Sequence, residues 1–156
     1  MKRATTALTA ICALMLTVAA AQTPPSFAGK WTLVPDANSQ AAAGMVPQTV
    51  NITQDANTLT MTRSTQMGEI TTTYKLDGSE SKNTVSIQGN SMDQVSHAKW
   101  DASKLKIDTT MDFQGQAVQL STALSLDPSG NLIVETTRPD FQGGGAPVTT
   151  KLTYKK

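Results

Sequence analysis

Residues 104–126 read KLKIDTTMDFQGQAVQLSTALSL. Leu105, Ile107, Thr109, Met111 and Phe113 fall on one side of an extended chain. Lys104, Lys106, Asp108, Thr110 and Asp112 fall on the other. Gln114-Gly115 interrupts the run, and Val118, Leu120, Thr122, Leu124 and Leu126 then repeat the alternation. Successive side chains of a strand point to opposite faces, so a period of two marks a strand with one buried face. Two such strands around a glycine turn make an antiparallel hairpin.

The same pattern extends in both directions. Upstream, Gln94–Trp100 joins this hairpin across Asp101-Ala102-Ser103. Downstream, Asp127-Pro128-Ser129-Gly130-Asn131 is a strong turn before Leu132–Arg138, and the loop Pro139–Pro147 leads to Val148–Tyr154. Nearer the start lie Lys30–Val34, Thr49–Gln54, Leu59–Ser64 and Glu69–Leu76, with a short strand at Val85–Gln88. Asp55-Ala56-Asn57, Met67-Gly68 and Asp77-Gly78-Ser79 supply turns between them. The longest connection, Pro35–Pro47, carries Ala41-Ala42-Ala43, enough for one helical turn. Twenty threonines between residues 22 and 156 suit a pleated, half-buried surface.

These segments predict an all-β chain, an antiparallel up-and-down meander closed into a small barrel of 8–10 strands. A sheet with one apolar face must cover it. The strictly local connections favour closure over a Greek-key sandwich.

Residues 1–21 predict a cleaved signal peptide. Lys2 and Arg3 form the basic start, Ala10 to Leu16 an apolar core, and Val18-Ala19-Ala20-Ala21 the small residues before cleavage. The core is too short to span a bilayer. Cys12 lies inside it, preceded by Ile11, so it is not a lipoprotein anchor and leaves with the peptide. The expected mature chain, residues 22–156, is one β-barrel domain without cysteine, and its location is periplasmic or secreted. It holds 11 basic and 12 acidic residues. That balance gives no electrostatic reason to expect nucleic acid or an anionic membrane as partner.

Phe27-Ala28-Gly29-Lys30-Trp31, followed by a long loop and a strand meander, resembles the lipocalin-like proteins of the calycin group. Thr72–Glu80, Ala98–Asp101 and Lys151–Lys155 are also similar to small secreted bacterial proteins of lipocalin-like type. The resemblance implies a barrel whose Gly-x-Trp tryptophan closes one end under an arginine from a late strand. Trp31 matches the first and Arg138 the second, as a structural plug. The strand number and the lack of a cysteine pair depart from the lipocalin pattern, so lipocalin ligand positions do not transfer.

Catalytic chemistry has little to work with. His97 is the sole histidine, and it shares a strand face with Val95 and Lys99, opposite Ala98 and Trp100. No serine sits in the G-x-S-x-G elbow that a hydrolase needs. One histidine cannot build a zinc cluster, and Asp127–Asn131 lacks calcium-loop spacing. No enzyme, metal or cofactor is therefore expected.

The interior is more informative. Thr72, Thr109, Thr122 and Thr150 share inward parity with aliphatic residues, and hydroxyls among apolar groups suit an amphiphilic guest. The expected function is non-covalent binding of a small hydrophobic or amphiphilic ligand. Tyr74, Met111, Leu120 and Thr122 are the candidate lining residues, and the loops Pro35–Pro47 and Pro139–Pro147 flank the mouth. The rival is a structural protein of the cell envelope with a filled core, which meets an envelope partner through its outer face.

Overall fold

The computed structural model describes residues 23–36, 46–87, 89–113, 115–140 and 144–156. The expected signal segment, the Ala41-Ala42-Ala43 turn and parts of both mouth loops lie outside these residues. Ten antiparallel strands are present: β1 (Gly29–Leu33), β2 (Thr49–Gln54), β3 (Thr58–Thr65), β4 (Gly68–Lys75) and β5 (Glu80–Ile87). They continue as β6 (Asn90–Asp101), β7 (Lys104–Phe113), β8 (Gln116–Leu126), β9 (Leu132–Arg138) and β10 (Val148–Lys155). No helix occurs among the described residues.

The strands form one sheet in the order β4-β3-β2-β1-β10-β9-β8-β7-β6-β5. Every neighbour is sequential except β1 and β10, which bring the chain's two ends together through Thr32 opposite Lys155 and Leu33 opposite Tyr154. Such an order curls the meander into a nearly closed barrel, with β4 and β5 as the two remaining edges.

No backbone ladder joins β4 to β5 among the described residues. Side chains bridge them instead. The Thr73 amide donates to Asn83 Oδ1 at 2.8 Å, and Asn83 Nδ2 donates to the Thr73 carbonyl at 3.0 Å. The carboxamide thus presents to Thr73 the donor and acceptor that a neighbouring peptide unit would. One turn further on, the Lys75 amide donates to Ser81 Oγ at 2.8 Å. This arrangement corrects the expectation of a short strand at Val85–Gln88. The strand begins at Glu80, and its first inward residues are polar because they close the barrel, so no apolar alternation reveals it.

Antiparallel connection places alternate turns at the same end. The lower end carries the tight turns 55–57, 77–79, 101–103 and 127–131. The upper end carries the longer connections 34–48 and 139–147. Residues before β1 cross the lower opening. Phe27 is fully buried there and stacks on Trp100, with ring centroids 5.7 Å apart. Its amide donates to Gln54 Oε1 at 2.8 Å, and Trp31 Nε1 donates to its carbonyl at 2.8 Å. Leu59, Leu105, Leu124 and Leu132 are fully buried around this lid. Burying a large apolar side chain contributes roughly 1.5–3 kcal/mol, so this half of the barrel supplies much of the fold's stability.

Threonine is used differently on the two surfaces. On the outside, Thr60 meets Thr73 at 2.9 Å and Thr62 meets Thr71 at 3.0 Å, as hydroxyl pairs across neighbouring strands. On the inside, Thr72 is completely buried.

Candidate functional site

Among the described residues, the upper part of the barrel is not filled. Two cavities, of about 140 Å³ and 170 Å³, occupy the interior. Arg63, Tyr74, Leu120 and Thr122 line both, so these four side chains form the partition between them. The first cavity continues toward Met61, Leu152 and Tyr154, and the second toward Ile70, Met92 and Met111.

The strands explain why space remains here. β8 stays paired with β7 up to Phe113 and Gln116, but its pairing with β9 ends at Ser121 opposite Thr137. Leu120 therefore has Thr109 on one side and no β9 partner on the other. Polar side chains further reduce apolar packing at this level. Ser96 and Thr109 share a hydroxyl hydrogen bond at 2.8 Å, and the hydroxyls of Thr122 and Thr136 approach to 3.5 Å. The result is an apolar wall with convergent hydroxyl and amide groups, the usual make-up of a small-molecule pocket.

Of the residues singled out from the sequence, the structure places Tyr74, Leu120 and Thr122 on both cavities and Met111 on one. Arg63 was not among them. Its signal was available in the alternation Leu59, Met61, Arg63, which puts the guanidinium on the inward face of β3.

The expected pairing of Trp31 with Arg138 is corrected. Trp31 is buried at the lower end, but the cation over its ring is Lys156, with Nζ 4.9 Å from the centroid. Register dictates this. Residues 32 and 155 are partners, so Trp31 comes level with Lys156, whereas Arg138 pairs with Val148 near the top of β10. Eight residues of strand separate those levels, about 26 Å at the usual rise. Gly29 makes room for the lysine: its φ is +139°, and a Cβ there would fall 2.8 Å from Lys156 Cε. The Gly-x-Trp spacing thus holds Lys156 over the indole.

Arg138 instead borders an outer groove of about 480 Å³ with Pro139 and Pro147. The groove floor is the outward face of β6, β7 and β8. His97, Asp108 and Ser121 lie there in one rung across the three strands. His97 is exposed, and its Nδ1 lies 3.1 Å from the Gly78 carbonyl. A carbonyl only accepts, so Nδ1 carries the proton and donates. Ser121 Oγ donates to Asp108 Oδ1 at 2.7 Å. The carboxylate therefore stands between hydroxyl and imidazole, whereas activating a serine needs the imidazole in the middle. Among the described residues, no three acidic, histidine or cysteine side chains converge on a metal position.

Burial raises the pKa of the Tyr154 hydroxyl, and the nearby Arg63 charge opposes that rise. Tyr154 stays a neutral donor, bonded to the Pro47 carbonyl at 3.1 Å.

This nearly closed ten-stranded meander with its lower end plugged has a calycin-like fold. The chain is similar in fold to zebrafish ileal bile acid-binding protein, whose crystal structure was solved complexed with cholic acid. The TM-score is 0.55 and the sequence identity 18%, with 83% of this chain and 98% of that chain covered. The sequence matches no protein-family model and no curated protein.

Proposed function

We propose that this protein is a non-catalytic carrier that holds one small hydrophobic or amphiphilic molecule inside its barrel. The observation that carries this reading is the pair of interior cavities meeting at Tyr74, Leu120 and Thr122. Desolvation of apolar surface would drive binding at roughly 25 cal/mol per Å², and the inward hydroxyls would orient the polar end. The fold likeness to a protein crystallised with cholic acid supports the same reading. The basic, apolar and small-residue order of residues 1–21 supports export of a lipocalin-like domain from a bacterial cell.

Native mass spectrometry after incubation with total lipid extract tests the proposal. The expected spectrum shows a bound small-molecule mass on a chain whose first residue is Gln22. A protein that retains no added mass from any extract overturns the carrier reading in favour of a filled structural barrel. An exported chain still carrying residues 1–21 overturns the cleavage.

A further inference from the structure

Arg63 reaches the barrel interior from β3 and lines both cavities. Neither lining contains an aspartate or glutamate. No ion pair to Arg63 forms among the described residues. Its Nε is shielded from solvent and finds no acceptor among the described residues. Its Nη2 donates a single long hydrogen bond, 3.4 Å to Thr72 Oγ1. Nε and Nη2 carry the two parallel N–H bonds with which a guanidinium grips both oxygens of one anion. Tyr154, whose hydroxyl feels the Arg63 charge, remains neutral and supplies no counter-charge.

A half-buried guanidinium whose shielded Nε–H has no acceptor among the described residues is expensive to keep. We propose that the missing partner is the guest: an amphiphile with an oxyanion head, received by the Nε and Nη2 edge of Arg63. Its apolar tail lies along Tyr74, Leu120 and Met111. This inference rests on the carrier reading and names the class of molecule carried. The carrier reading alone is satisfied by neutral lipids, whereas an unmatched guanidinium between the two cavities selects against them.

Decanoate and decanol share one alkyl chain and differ only in the head, so calorimetric titration of both into the protein at neutral pH separates the two readings. Decanoate is expected to bind about ten- to a hundredfold tighter, the range of a charge-assisted hydrogen bond. Decyl sulfate should behave like decanoate if the site takes oxyanions in general, and like decanol if it takes only carboxylates. Either result supports the inference. Arg63→Gln should bring decanoate to parity with decanol, and Arg63→Lys should keep most of the preference.

Equal affinity of the wild-type protein for decanoate and decanol overturns the inference and leaves the carrier reading standing. So does a full preference surviving in Arg63→Gln. Binding of neither probe overturns both. Arg63→Met guards against a purely structural role: it removes an unmatched charge, so its melting temperature in the absence of ligand should equal or exceed that of the wild type. A marked drop assigns Arg63 to the fold and overturns the inference.

Discussion

Leu124 and Leu120 stand four residues apart on β8 and point the same way, yet they live in different environments. Leu124 is fully buried, opposite Leu105 on β7 and Val134 on β9. Leu120 is half-buried, opposite Thr109 and past the last β9 partner, and it faces both cavities. The lower half of the barrel packs around residues such as Leu105 and Leu124, which have apolar neighbours on both flanking strands. Space remains beside Leu120 because one neighbour is polar and the other strand no longer pairs with it. Inward direction is a property of one strand, whereas packing belongs to three strands at once.

The comparison breaks most readily at these two leucines. Leu124→Ala should cost about 3–5 kcal/mol, the range for opening a cavity in a tight core. Leu120→Ala should cost only about 1 kcal/mol, since the side chain already borders empty space and loses less buried area. Urea unfolding measures both, and equal losses would show that the upper half is packed like the lower.

Much of this division was legible in the sequence. The 104–126 hairpin announces strand, face and turn through residues that alternate without interruption. The lower turns announce themselves through Asp55, Asp77, Asp101 and Asp127. What stayed hidden is where an inward position is polar. Ser81 and Asn83 do the work of a backbone ladder, and so their strand carries no apolar signature. Arg63 sits where Leu59 and Met61 lead, but a charge at inward parity looks like the end of a pattern and not its continuation. The cation over Trp31 was hidden for another reason: register between the first and last strands is a long-range property, and it selects Lys156 over Arg138.

The β4–β5 edge offers a sharper and smaller test. Asn83→Ala removes both hydrogen bonds to Thr73, a loss of about 1 kcal/mol or less for an exposed pair. Hydrogen exchange should accelerate at the Thr73 amide and leave the β7–β8 amides unchanged. Uniform acceleration across the barrel would mean that the two edges are not separately held.

The smallest effect concerns acid. At the lower end, hydrogen bonds from the Asn131 side-chain amide and backbone, then from Ser129 and Gly130, hold the Asp127 carboxyl below its ordinary 3.8. Backbone hydrogen bonds from Asn57 and Thr58 lower Asp55 in the same direction, and Ser79 does so for Asp77. A depressed carboxyl stabilises the native state above its unfolded pKa, and that contribution fades as pH falls through the native value. Melting temperature should therefore decline as pH drops below about 4. Asp127→Asn should flatten part of the decline. An unchanged slope in that variant would remove Asp127 from the account.

The side-chain bridges between β4 and β5 also have a mechanical meaning. A ring welded all round resists any change in girth, because every joint must stretch together. A split ring takes up the whole change at its slit. Among the described residues the slit is spanned by two hydrogen bonds of one carboxamide and one of a serine. The circumference is thus set by three soft fasteners and nine backbone ladders. Widening of the bore falls on the fasteners first and leaves the plugged lower end at its original diameter.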